Sequence, residues 1–378
     1  MAKRLLSELG GEHWAPWRDP GLAPERETVM STPDSGGRRR RTRTALCTAG
    51  CTVALAGSLV SAGAASASAA AQPASLYIAN SGGNSVTEYN IARSSVVGTF
   101  AAGNTPVAVA VTPDGKQLYV ADAGSNQVMV VKTATNKVIG TIAVGELPAS
   151  IAFSPNGSTA YVLNRDSQSV SVIDTATRAV TTSYSLASAE GSSYGNDLAI
   201  SPDGEQAFLP LEDGTVIVLD LANGAVVNTV TLGYAAWQGV VSPDGKDVYI
   251  TYLPTIYSAG YVAVVSTATD KIVHRIATNG PDPGSVAIGP DGKDVYTADF
   301  ADNMVDIITT ATDKVAGDEG LPSNYYPVAV AADAGFLFTA NYDSNTVSQF
   351  DISNSYQRQD IQLAQGAGPD ALAFVPAS

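Results

Sequence analysis

Residues 112–122 read Thr-Pro-Asp-Gly-Lys-Gln-Leu-Tyr-Val-Ala-Asp. Proline presets the first turn angle and glycine accepts the positive one, so 113–115 is a tight turn. It joins two strands, the alternating Val107–Val111 and the more apolar Gln117–Ala121. The same turn recurs at 155–157, 202–204, 243–245 and 290–292, with a degenerate copy at 332–335. The strand after it recurs at Leu76–Asn80, Leu118–Asp122, Ala160–Asn164, Ala207–Leu211, Val248–Tyr252, Val295–Asp299 and Leu337–Asn341, at spacings of 42, 42, 47, 41, 47 and 42 residues. A period near 42 residues signals a chain built from stacked supersecondary units.

Each unit reads as four strands. In the second, Val107–Val111 and Gln117–Ala121 are followed by a loop at 122–126, a strand at Gln127–Val131, a Thr-Ala-Thr turn at 133–135 and a strand at Lys137–Val144. The Thr-Ala-Thr turn returns at 175–177, 267–269 and 310–312. Four antiparallel strands per period is the pattern of a propeller blade. The first unit lacks its inner strand, and the C-terminus ends in an orphan one, Ala371–Pro376. The sequence therefore predicts an all-β, seven-bladed β-propeller over 72–378, with the C-terminal strand closing the first blade so that no sheet edge is left open between blades.

The segments Tyr-Ile-Ala-Asn at 77–80, Tyr-Val-Ala-Asp at 119–122 and Tyr-Val-Leu-Asn at 161–164 resemble the YVTN family, as do the Pro-Asp-Gly turns and the Asn-x-Val tracts at 84–86 and 345–347. That family consists of seven-bladed propellers found in secreted bacterial and archaeal surface-layer proteins. The resemblance runs over about 74–378. It is also similar to the wider group of propellers that contains lactonases and streptogramin-type lyases. The shared residues are those that build blades, so the resemblance implies a fold and an extracellular setting more than a reaction.

Residues 1–71 are a separate segment. Arginines 38–41 and 43 precede an apolar run from Ala45 to about Ala62, then Ala-Ser-Ala-Ser-Ala-Ala-Ala at 65–71. This is the order of a secretory signal, with cleavage after Ala67, Ala69 or Ala71 and a start of translation at Met30. The expected location is extracellular, with no membrane span in the mature chain. Both cysteines, Cys47 and Cys51, fall in this segment. The mature chain is thus expected to lack disulfides, a thiolate nucleophile and Cys-based metal sites.

Of the 21 basic and 36 acidic residues, nine and six precede residue 72, which leaves a formal charge of −18 on the repeat region. Such a body repels phosphate backbones, and nucleic acid is not an expected partner. The only histidine of the repeats, His274, aligns with an outermost strand. This argues against haem ligation and against a channel histidine as acid or base.

Function in this architecture is expected on the loops around one mouth of the central channel. Those loops carry aromatics in the later units: Tyr194, Tyr234, Trp237, Tyr252, Tyr257, Tyr325 and Tyr342. Rings with polar tips suit stacking on a sugar, a flat small molecule or a protein partner, and equally suit packing between blades. Glu212 and Asp299 are the acids singled out among several at this face, and Asn196 lies in the longer connection before the fourth unit. Arg165 stands almost alone there as a cation, placed to clamp a carboxylate or to pair with an acid. The two 47-residue spacings add length at 187–196 and 253–259, on the same side. No cofactor is expected. Calcium is the ion that acids and loop carbonyls would suit, but no calcium-binding loop motif is present. The reading is a monomeric, secreted binding protein for a small molecule, glycan or protein at the channel mouth. A lactonase-like hydrolase or lyase using mouth carboxylates and a structural cell-envelope protein are the alternatives.

Overall fold

The computed structural model describes residues 75–186, 195–253, 259–333 and 335–375. The expected export segment, Met30, both cysteines, Tyr194, Tyr257 and most of the two longer connections lie outside the described residues. Seven four-stranded sheets form seven blades. The second blade runs through Pro106–Val111, Gln117–Asp122, Gln127–Lys132 and Lys137–Ala143, from the innermost strand to the outermost. The first is assembled from both ends of the repeat region, with Pro369–Phe374 innermost and then Ser75–Asn80, Ser85–Asn90 and Ser95–Ala101.

The second strand of each blade is apolar on both faces because both are covered. Ser75–Asn80 is buried throughout, and so are Leu118–Asp122 and Ala160–Asn164. Each core cluster joins neighbouring blades. Tyr119 and Val130 pack with Ile151 and Val162 between blades two and three. Leu76 and Tyr89 pack with Phe338 and Val347 between blades one and seven. The fourth strands face water, and Ser95–Ala101 is exposed or half-exposed along its length.

Two recurrent polar contacts set blade against blade. On the turn side, the repeat tyrosine reaches the next blade: Tyr77 Oη donates to Asn136 Oδ1 at 2.8 Å, and Tyr249 Oη to Asp313 Oδ1 at 3.3 Å. His274, on the fourth strand of blade five, joins this second contact through Nδ1 at 2.7 Å from Asp313. On the loop side, an asparagine in the left-handed conformation accepts an N–H from the start of the next blade. Asn84 takes that of Thr105, Asn126 that of Leu147, Asn303 that of Tyr326 and Asn345 that of Gly368. The last of these closes the ring by the same device that spaces the other blades. Closure is completed by five residue pairs between Leu76–Asn80 and Pro369–Phe374 and by Ser81 N donating to Gly368 O.

Candidate binding site at the channel mouth

The innermost strands line the channel, and each is irregular near its loop-side end. Pairing skips one residue between Pro106 and Ala108, Pro148 and Ser150, Pro283 and Ser285, and Pro327 and Ala329. It skips Asp370 in blade one and passes over Trp237 in blade five. Such a bulge turns the extra residue out of the ladder. The bulged set is Asp370, Val107, Ala149, Asn196, Trp237, Gly284 and Val328, and all seven are half-exposed. On an innermost strand, the solvent they meet is that of the channel.

The next level inward is asymmetric. Blades one, two and seven present Ala371, Ala108 and Ala329, whereas blades three to six present Ser150, Asp197, Gln238 and Ser285. These four form a polar belt. Ser150 Oγ donates to Asp197 Oδ1 at 2.7 Å, and Asp197 Oδ2 accepts from Gly239 N at 3.2 Å. Gln238 Oε1 accepts from Val286 N at 3.3 Å, and Ser285 Oγ from Val330 N at 3.1 Å. Blades four, five and six thus each hand a side-chain oxygen to a backbone N–H of the next, and blade three hands a hydroxyl to the Asp197 carboxylate.

Burial raises the pKa of Asp197, against the opposing effect of the bonds from Ser150, Gly239 and Leu198. Asp370 meets the channel on one side while protein hems in its carboxyl. Burial pushes its pKa up to about 7, opposed by a hydrogen bond with Ser81, and no charged neighbour contributes. Trp237 is half-exposed, yet its Nε1 is buried and has no hydrogen-bond partner. A donor without an acceptor is costly, and a ligand oxygen or a bridging water removes that cost.

The expected site residues separate into groups. Arg165, Glu212 and Asn196 come together across blades three and four. The Arg165 guanidinium pairs with Glu212 and donates to Asn196 Oδ1 at 3.1 Å, while Asn196 Nδ2 donates to Ala236 O. This network ties three blades together and engages the mouth's cation. Beside it is a small cavity lined by Leu163, Asn164, Arg165, Gly195 and Leu211. Tyr252 is buried, stacked on Tyr261 and covered by the Arg275 guanidinium. Tyr325 donates to Asp360 and lies under Arg358, on the flank of blade seven. Tyr342 packs against the Gly368 backbone, where a side chain on Gly368 would collide with its ring. Tyr234 is exposed. Asp299 is fully buried within blade six. Trp237 and Asn196 are the members of the expected set on the bulged ring. Asp370 and Asp197 figure in the sequence only among many acids near this face, and the Ser150–Ser285 belt has no part in the sequence reading. Counting back eight residues from each turn glycine finds Val107, Ala149, Asn196, Trp237 and Gly284.

Among the described residues, no group of three or more His, Cys, Asp or Glu is arranged to hold a metal ion, and no helix is long and apolar enough to cross a membrane.

A family model described as "Lactonase, 7-bladed beta-propeller" matches residues 80–183, the stretch from the end of the second strand of blade one into the last strand of blade three. No curated protein matches the chain. Among solved structures, hydrazine synthase of Kuenenia stuttgartiensis aligns with a TM-score of 0.62 and 24% identity, covering 80% of this chain and 98% of that one. The dihydro-heme d1 dehydrogenase NirN, solved in complex with DHE, aligns with a TM-score of 0.59 and 15% identity, covering 80% of this chain and 75% of that one. At these identities the structural likeness speaks to architecture alone. The protein is a seven-bladed β-propeller that resembles lactonase-type propellers across its first three blades.

Proposed function

We propose that the protein is an exported binding protein that takes a small ligand at the channel mouth, on the side formed by blades four and five. The observation that carries this reading is Trp237. A large aromatic occupies a ring position where blades two, three, six and seven have Val, Ala or Gly, and its buried Nε1 lacks an acceptor. Asn196 and the polar belt beneath it supply oriented hydrogen-bonding groups beside that ring. The binding reading is preferred to a hydrolase because Asp197 is already engaged by Ser150 and Gly239, while Asp370 stands on a different blade.

The chain has three tryptophans, Trp14, Trp17 and Trp237. Incorporating 5-fluorotryptophan gives each a ¹⁹F resonance, and Trp237→Phe identifies the one at the mouth. A library of small amines, alcohols, sugars and carboxylates is then screened against the full chain. The expected result is saturable perturbation of the Trp237 resonance by a subset of compounds, lost with their thermal stabilisation in Trp237→Ala. Silence of that resonance to the whole library, or unchanged stabilisation in the variant, overturns the reading.

A further inference from the structure

We infer that the ligand at the channel mouth is an organic ammonium ion, with its charge facing the carboxylates of Asp370 and Asp197 and its apolar shell against the Trp237 ring. The inference rests on the channel-mouth reading and adds the chemical class.

Three independent observations point to a cation. The bulged ring and the level beneath it contain two carboxyl groups and no basic side chain. The loops on this face carry Glu146, Asp166, Glu212, Asp213, Asp302 and Asp343, against the single cation Arg165, which is paired with Glu212. The opposite face is mixed, with Lys116, Lys246 and Lys293 each bound to the aspartate of its own turn. Field lines from the acidic face converge on the channel, which concentrates cations there and repels anions. The third observation is Trp237, because an indole face attracts ammonium groups more strongly than any other side-chain ring. An anionic ligand, such as the carboxylate released by opening a lactone, meets one cation at this mouth, Arg165, and that is paired with Glu212.

The pH dependence follows from Asp370. It is half-ionised near pH 7 and mostly charged a unit above, so a cation binds more tightly at pH 8 than at pH 6. Asp197, also raised by burial, acts in the same sense, and the elements packed against Asp370 add little. Its own blade's Ser75–Asn80 offers Tyr77 as its sole ionisable group, and the flanking inner strands Pro106–Val111 and Pro327–Ala332 offer none.

The test uses three probes of one shape: choline, its neutral carbon isostere 3,3-dimethylbutan-1-ol, and the anion 3,3-dimethylbutanoate. Each is titrated against the full chain with the Trp237 ¹⁹F resonance as readout. The inference expects choline to bind at least tenfold more tightly than the neutral isostere, with no binding of the anion. Choline affinity should fall about tenfold from pH 8 to pH 6. Asp370→Asn should lose that pH dependence and most of the preference for charge. The thermal midpoint of Asp370→Asn confirms that it is folded, and Asp343→Asn on the rim serves as a charge-matched comparison with a smaller effect. Equal binding of choline and the alcohol, or tighter binding of the anion, overturns the ammonium assignment and leaves channel-mouth binding intact. Silence towards all three overturns it too, and the library screen then decides the broader reading separately.

Discussion

At the residue scale, the repeat is defined by two side chains with different tasks. The tyrosine binds the next blade's turn, as Tyr77 does with Asn136. The asparagine or aspartate at the end of the same strand ties its own blade: Asn80, Asn164 and Asn341 donate to Thr87, Ser171 and Ser348, each at 2.9 Å. In blade two the position is Asp122, which accepts from Gly103 N and Gln127 Nε2. Burial raises its pKa to about 6. Between pH 4 and 6 the folded state therefore keeps a proton that the unfolded chain releases. Stability falls as pH rises through that window, and the loss persists above it. Asp122→Asn removes the ionisation, and Gln127 can turn its amide to accept the new N–H. The variant should match the parent near pH 4 and exceed it by about 1–3 kcal/mol at pH 7.5. Urea unfolding at the two pH values measures the difference, and an equal gain at both would show that ionisation is not the cause.

At the level of the blade, the sixth departs most from its neighbours. Where blades one, three and seven pair Asn with Ser or Thr, it has Asp299 and Asp306, both fully buried. Oδ2 of Asp299 accepts from Thr297 and Oδ2 of Asp306 from Asn279 N, while each Oδ1 lacks a partner. Burial raises both pKa values, and the charge of Asp306 raises that of Asp299 further, with Asp282 and Asp302 adding to it. The folded blade holds protons that the unfolded chain gives up above about pH 4, so this blade is destabilised as pH rises. Asp299→Asn with Asp306→Ser restores the arrangement of blade seven. The double variant should melt several degrees higher than the parent at pH 8, with the gap closing towards pH 4; differential scanning calorimetry reads both. Such a pair was invisible as a pair in the sequence, because Asp299 alone looks like any loop acid. The blades themselves were legible, since Pro-Asp-Gly fixes local backbone angles and the strand after it is continuously apolar. The mouth was less so. A tyrosine near the mouth that packs sideways, such as Tyr252 under Arg275 at the end of its strand, is not told apart by its sequence neighbours from one that faces the channel. The bulge that turns Trp237 and Asp370 inward is a property of pairing between strands, which no single strand records.

For the whole molecule, closure decides whether the separate loops share a rim at all. The first blade borrows Pro369–Phe374 from the far end of the repeat region, and this strand does more than complete a ladder. Leu372 and Phe374 pack against the cluster of Leu76 and Phe338, with the Phe338 and Phe374 rings 5.5 Å apart. Asp370 on the same strand supplies one of the two mouth carboxyl groups. Ending the chain at Gly368 therefore exposes the edge of Ser75–Asn80, opens the seam between blades one and seven and removes a mouth acid together. An exposed, apolar edge strand invites pairing with another copy. Size-exclusion chromatography should show species larger than the parent, and the thermal transition should broaden and fall by more than 10 °C, on the order expected for losing a packed core strand. A synthetic peptide spanning 367–378, added in excess, should restore both the parent's elution position and the sharp transition by occupying the vacant edge. The same peptide with Leu372→Asp and Phe374→Asp offers the same backbone without the packing and should fail. Rescue by the doubly substituted peptide would mean that the ladder alone closes the ring; a truncated chain that elutes with the parent and melts unchanged would mean that the other six blades hold the toroid without it.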